Sequence, residues 1–386
     1  MNTGAARTDR RHEARPWSSS CTTGEDCTFQ QLAPYIGRMK TSIARSLIAR
    51  FTRPGQVLFD PFAGSGVIPF EAAMLGRSVV ACDTNPYGVL LMRAKFSAPA
   101  SYEGALERFD QCWAGAQRRL RWQDLRTVPS WIRAFFHPET LRAALALRDE
   151  LVDADEPFFM ACLLGILHHQ RPGFLSYPSS HLVPYLRDKL FPRSRFKSMY
   201  EQRDVRSRME SKIRRTFRRP PPLLASSRIL QADARRLRVP ETIDAIITSP
   251  PYMNELDYVR DNRLRLWFIG RELPTVIDIP RGKREDMFRS LLTRTFSRLL
   301  PMVAPNAAIV VVVGDTRRGG SRTDAAKVVK EVFAAEAFET LRLETEFRDR
   351  IPDIRRSRRD LAGTKRETVL VFRSNAHVDR NAKAAS

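Results

Sequence analysis

Short apolar runs recur along the chain, and most are stopped by a small or acidic residue. Seven are rich in β-branched residues: VLFD ending at Asp60, SVVACD at Asp83, RILQAD at Asp233, DAIITS at Ser249, AAIVVVVGD at Asp315, LRLETEF near Phe347 and TVLVF at Phe372. Several are almost continuously apolar, the pattern of strands covered on both faces. Between most of them the apolar positions shift to helical spacing, as in IPFEAAMLG, whose last glycine suits a helix C-cap. Strands alternating with helices predict an α/β domain with a mostly parallel sheet and helices on both sides. Four runs end in aspartate, so carboxylates gather at the strand ends where open sheets of this kind bind ligands.

One gap breaks the rhythm. About 145 residues separate the second run from the third, far more than a βα connection needs, so the segment is expected to be an insertion with structure of its own. Its first part has a helical pattern. Its second part, residues 185–220, carries thirteen Lys/Arg against four acids. Tyr185, Phe191, Phe196, Tyr200 and Phe217 are interleaved there, a mixture that suits a surface meeting phosphates and bases. Arg214, Arg215, Arg218 and Arg219 are the candidate nucleic-acid contacts. Residues 1–25 and 375–386 are too polar to offset their ordering entropy and are expected to stay disordered. The expected organisation is a core domain over 26–97 and 228–374, with residues 98–227 inserted for target recognition.

Composition sharpens this picture. The chain has 386 residues, 43% of them hydrophobic, and a formal charge of +22. Such a basic excess points to a polyanionic partner. Five cysteines are scattered without CxxC spacing, which reads as reduced thiols and no metal site. No apolar run approaches the length of a membrane span or a signal peptide, so a cytoplasmic protein is expected.

The stretch LFDPFAGSGVIPFEAAMLG places a strand, an Asp-Pro turn, two glycines and a helix in order. It lacks the Gly-Lys-Ser/Thr of a phosphate loop, and Pro69 stands where a dinucleotide loop has its third glycine. Asp60 at the mouth of the turn would repel pyrophosphate and attract a cation, such as the ammonium group of S-adenosylmethionine. Asp83 lies at the spacing from which an acid receives ribose hydroxyls, and Asp233 is placed to meet an adenine amino group. Together these acids describe an adenosine site without phosphates.

DPFAGSG followed by TSPPY resembles the amino-directed DNA methyltransferases. The first motif is similar to their cofactor loop (Asp60, Pro61, Phe62, Ala63, Gly64, Gly66) and the second to their catalytic motif (Ser249, Pro250, Pro251, Tyr252). APYIGRMKTSIARSLIARF, which includes Tyr35, is similar to the segment closing the methionine end of the cofactor pocket. The resemblance covers residues 30–96 and 228–315, loosely the tail around KRETVLVF, and not the insertion. It implies a Rossmann-like class I methyltransferase with a seven-stranded, mostly parallel sheet and a largely helical insertion. The implied cofactor is S-adenosyl-L-methionine and the implied partner double-stranded DNA, ahead of RNA. A cognate restriction endonuclease is a further candidate partner.

The chemistry accounts for these residue types. A base amino nitrogen delocalises its lone pair into the ring, and hydrogen bonds accepted from its N–H groups free that pair. Ser249 and the Pro250 carbonyl would be the acceptors, in a turn that prolines stiffen without adding donors. Tyr252 would stack on a base that has left the duplex. No cysteine follows a proline, which argues against attack at cytosine carbon 5. The resemblance, which associates Ser-Pro-Pro-Tyr chiefly with cytosine, implies N4 of cytosine as the target. N6 of adenine, guanine-N2 in RNA, and a catalytically silent nucleic-acid-binding protein are the alternatives. Asn254, Asp257 and Tyr258 read as helix caps or base-pocket residues, His168 and His169 as structural, and GDTRRGG as a solvated turn.

Overall fold

The computed structural model describes residues 26–169, 174–180, 185–251, 258–270, 283–314, 316–318, 321–335, 338–350 and 366–375. Residues 1–25, Tyr252, Asn254, Asp257 and the tail from 376 lie outside them.

The strands are β1 (Val57–Asp60), β2 (Ser78–Asp83), β3 (Ser227–Gln231), β4 (Ile243–Thr248), β5 (Val303–Gly314), β6 (Thr316–Arg318), β7 (Ser321–Thr323), β8 (Leu341–Arg350) and β9 (Arg366–Ser374). Seven form one sheet in the order β3-β2-β1-β4-β5-β9-β8, while β6 and β7 make a separate two-stranded sheet where a turn was expected. The pairs among β1 to β5 are parallel, and β9 runs antiparallel between β5 and β8. All seven β-branched runs are therefore sheet strands. The third stops at Gln231, short of Asp233, because the Asp233 carboxylate accepts the Arg235 N–H and turns the chain.

The apolar run in β5 shows why these segments are strands. Ile309, Val311 and Val313 enter the core on one face of the sheet, and Val310 and Val312 enter the core on the other. Each such side chain contributes about 1.5–3 kcal/mol on burial. A period of two with both sets buried is satisfied only by a strand between two layers.

The helices are α1 (Thr41–Phe51), α2 (Val67–Met74), α3 (Pro86–Phe96), α4 (Tyr102–Arg119), α5 (Ser130–Arg133), α6 (Pro138–Asp153), α7 (Pro157–Ile166), α8 (Val205–Thr216), α9 (Tyr258–Gly270), α10 (Arg284–Leu299) and α11 (Ala325–Phe333). Ile43 and Leu47 of α1 and Val67 of α2 pack with Leu58 of β1, while Phe296 of α10 and Phe333 of α11 pack with Phe59. Residues 98–227 supply α4 to α8, which share one core with Phe29, Leu91 of α3 and Phe268 of α9. Polar ties reinforce this junction: the Arg148 Nε on α6 donates to the Phe268 carbonyl at 2.7 Å, and the buried Lys212 on α8 donates to the Gln31 carbonyl at 2.9 Å. The inserted helices are thus continuous with the frame that carries α9, the helix that follows the diproline turn.

Most of the interleaved aromatics are half-buried and pack on protein neighbours. Phe217 packs edge-on against Phe29 at 5.3 Å and against Phe158 at 5.8 Å, Phe191 packs against Phe196, and Tyr200 packs on Tyr177. Tyr185 is exposed. A basic layer still needs its own apolar contacts to hold together, and these rings supply them.

Candidate active site

The order of strands reverses between β1 and β4, and in an open α/β sheet that reversal opens a crevice beyond the carboxyl ends of the strands. β1 ends there in Asp60, whose side chain is 1% exposed. Its Oδ1 accepts the Thr248 hydroxyl at 2.6 Å and the Phe62 N–H at 3.1 Å. Burial pushes this carboxyl up to about 7 against the pull of those two donors, and Asp83 adds to the rise. Among the described residues no cationic side chain pairs with it.

The glycine turn follows. Gly64 and Gly66 have φ of 52° and 74°, the left-handed region that glycine occupies at little cost. A Cβ on Gly66 would collide with Met92 of α3, and one on Gly88 would lie 2.6 Å from the Gly64 carbonyl oxygen. The turn is therefore clamped by α3 with no room for side chains. Pro61 and Ala63 are buried and Phe62 is half-buried. Ala63 N–H donates to the Cys82 carbonyl at 3.0 Å, which joins the turn to β2.

Asp83, at the end of β2, accepts the Gly64 N–H at 2.7 Å and the Asn85 N–H at 2.8 Å. Burial raises its pKa while these backbone donors lower it. Asn85 also donates to the Tyr35 hydroxyl at 3.4 Å, and the Tyr35 ring lies against Gly64. Asp233 belongs to the same group: the Cys82 thiol, raised first by burial, is raised further by Asp60, Asp83 and Asp233 together. Asp60, Asp83 and Asp233 thus all lie within electrostatic reach of Cys82. Asp233 differs in being gripped by Arg235, whose Nε and Nη2 donate to its carboxylate at 2.6–3.0 Å and lower its pKa. An adenine amino group would share that carboxylate with the guanidinium.

Beneath the turn lies a buried polar cluster that sequence reading missed. The Lys95 ammonium on α3 donates to the Ser65 carbonyl and the Gln30 Oε1, both at 2.7 Å, and reaches the Gly66 carbonyl at 3.5 Å. Gln30 donates to Glu71 at 2.9 Å, and Arg45 pairs with Glu71 at 2.9 Å. Burial lowers the Lys95 pKa to about 7. A lone lysine on a helix ordinarily reads as solvated, so nothing in the sequence marked it. Thr248, the first residue of TSPPY, was given no role for the same reason. Asn85 had a signal: an Asn-Pro step at a helix start, and its side chain does cap α3.

On the other side of the crevice, Ser249 is half-buried, Pro250 buried and Pro251 exposed. Parallel pairing of Phe59 with Ile246 sets the end of β4 beside Asp60. Tyr35, the turn from Asp60 to Gly66, Asp83 and the start of the diproline turn are therefore gathered at one edge. Arg214, Arg215, Arg218 and Arg219 are exposed on and just beyond α8, with Arg214 donating to the Tyr102 hydroxyl at 3.3 Å. They belong to the inserted layer. Among the described residues no cluster of His, Cys, Asp or Glu is suited to a metal, and no helix is long and apolar enough to cross a membrane.

The residues fit a cationic, phosphate-free cofactor. A desolvated carboxylate without a cationic partner favours a ligand cation, and the glycine turn admits close approach by a neutral sugar rather than a pyrophosphate. Sheet order and site together define the class: a Rossmann-like α/β fold with a candidate cofactor site at its switch point. A family model, UPF0020: RMKL-like, methyltransferase domain, matches residues 32–117, from the Tyr35 segment through the glycine turn to α4. No curated protein sequence matches the chain. Similar solved structures include TrmN from Thermus thermophilus, 13% identical with a TM-score of 0.37 over 90% of this chain and 52% of that one. This chain thus spans about half of TrmN. The rRNA methyltransferase aviRa from Streptomyces viridochromogenes is 12% identical, with a TM-score of 0.32 over 89% of this chain and 92% of that one. A SAM-dependent methyltransferase from Methanosarcina mazei is 8% identical, with a TM-score of 0.36 over 86% and 98% of the two chains.

Proposed function

We propose that the chain methylates the exocyclic amino group of a nucleic-acid base, foremost N4 of cytosine in double-stranded DNA. The observation that carries this reading is the 2.6 Å hydrogen bond from Thr248 to Asp60, which holds the start of the diproline turn against the cofactor carboxylate. Bound S-adenosylmethionine supplies an electrophilic methyl group on a cationic sulfur. The chain's own residues prepare the nucleophile. Ser249 Oγ and the Pro250 carbonyl accept the two amino N–H groups, which pulls the nitrogen toward a pyramid and returns its lone pair. Pro250 and Pro251 carry no N–H that would compete for those acceptors. Positioning supplies much of the remaining acceleration.

The cysteines support an amino target over a ring carbon. Cys27, Cys82, Cys112 and Cys162 are buried, and burial raises each thiol, Cys112 and Cys162 to about 11. None of these four is suited to act as a thiolate nucleophile at neutral pH. The +22 charge supports a nucleic-acid substrate, and Arg214, Arg215, Arg218 and Arg219 are the contacts we assign to its phosphates. The test is incubation of duplex DNA and of RNA with isotopically labelled cofactor, followed by nucleoside mass spectrometry. Label in N4-methylcytosine is the expected result. Label in N6-methyladenine or in RNA guanosine would move the target, and label in no nucleoside would overturn the reading.

A further inference from the structure

We infer that a second phosphate-binding surface, separate from α8, lies in the arginine-lined groove between the turn after β3 and α10. It is a cleft of about 450 Å³ lined by Arg235, Arg236, Thr293, Arg294, Ser297 and Arg298. The inference rests on the nucleic-acid reading above and extends it by assigning where the strand backbone runs.

Charge balance within the groove carries the argument. Arg235 is neutralised by Asp233. Among the described residues Arg236 and Arg294 are exposed and make no ion pair, although Asp233 lies within electrostatic reach of Arg236, and Arg298 donates to the Leu237 carbonyl at 3.3 Å. Elsewhere on α10 the pattern is the opposite: Arg289 is paired with both Glu285 and Glu331. Arg294 and Arg298 stand one helical turn apart, roughly 5–6 Å between Cβ atoms, where like charges repel. Among the described residues Arg294 and Arg298 thus have no ion-pair partner and Arg236 feels only the Asp233 carboxylate that Arg235 already grips, which favours an anion from outside.

The arrangement fits a chain of phosphates better than a single one. Thr293 and Ser297 form a second i,i+4 row beside the arginines and add hydroxyl donors along the groove, as phosphate-contacting surfaces do. Arg235 connects the two sites. Its guanidinium grips Asp233 at the adenosine end of the crevice while lining the groove, so a strand lying there would pass the cofactor edge.

The test is fluorescence anisotropy of a labelled DNA duplex and a labelled single-stranded RNA over a series of salt concentrations. Proteins compared are wild type, Arg236→Gln/Arg294→Gln and, as a control for a neutralised position, Arg289→Gln. Unchanged S-adenosylmethionine affinity by calorimetry reports that each variant is folded, and single Arg236→Gln stands in if the double variant is not. The double variant should lower the slope of log affinity against log salt by about 1.4 on single strands and about 1.8 on duplex, with Arg289→Gln matching wild type. Wild-type binding with an unaltered slope in the folded double variant overturns the groove and leaves the proposed function standing. Failure of wild type to bind either nucleic acid overturns both.

Discussion

The Thr248 hydroxyl donates to the Asp60 carboxylate at 2.6 Å across 188 residues of sequence. It ties the last residue of β4, just before Ser249, to the last residue of β1, just before the glycine turn. Two halves of the proposed reaction centre are thereby held at one separation. A hydrogen bond to an ionised group is worth about 1.5–3 kcal/mol. Thr248→Val should weaken S-adenosylmethionine binding about 10-fold to 100-fold, Thr248→Ser should restore it, and isothermal titration calorimetry on the three proteins checks both.

Asp60 titrates near neutrality because it is buried. A ligand cation favours its ionised form, so cofactor binding should release a proton near pH 7, and affinity should rise between about pH 6 and about pH 8. Stability runs the other way. The folded pKa is about 7 against 3.8 for the free group, so between those values the folded state keeps a proton that the unfolded state has lost. Stability then falls as pH rises through that window. Asp60→Asn should abolish the proton release and remove this part of the slope. Calorimetry in buffers of different ionisation enthalpy, with urea unfolding at several pH values, measures both effects.

Lys95 contributes a slope of opposite sign. Its folded pKa of about 7 lies below the free value of 10.5, so in the interval the unfolded state holds the extra proton and stability rises with pH. Lys95→Met should remove that rise. It should also leave the Ser65 carbonyl and Gln30 without their donor, at about 1–3 kcal/mol. Looser cofactor binding with a normal melting temperature would place the effect in the turn alone; a lower melting temperature is the further expectation.

Gly88 tests the clamp on the turn. Its Cβ would lie 2.6 Å from the Gly64 carbonyl oxygen, and backbone cannot swing aside as a side chain can. Gly88→Ala should cost about 1–3 kcal/mol in urea unfolding and displace the turn. Cofactor affinity should fall with it; wild-type affinity would show that the turn tolerates the shift.

Ser249→Ala should separate binding from chemistry. Ser249 is half-buried on the acceptor side of the crevice, so cofactor affinity should stay close to wild type while turnover falls about 100-fold or more. Single-turnover kinetics with saturating cofactor distinguish this from a folding defect.

Local residue patterns were enough to establish the sheet and the position of its ligand edge. Runs such as AIVVVV leave a chain no option but a strand covered on both sides, and strand-end aspartates with a Gly-x-Gly turn pointed to a candidate ligand site at its edge. What tertiary structure alone decided is which distant groups meet. The Thr248–Asp60 bond and the Lys95 clamp join residues whose types carry no signal until the chain folds, because a threonine or a lysine is bland until its partner is known. The packing of Phe191, Phe196, Tyr200 and Phe217 on protein neighbours was hidden for the same reason: an aromatic beside an arginine has the same spacing whether it meets a ligand or another side chain. Likewise Arg236 and Arg294 are two of many arginines in the sequence, and only packing α10 against the turn after β3 sets them in one groove without an ion-pair partner among the described residues.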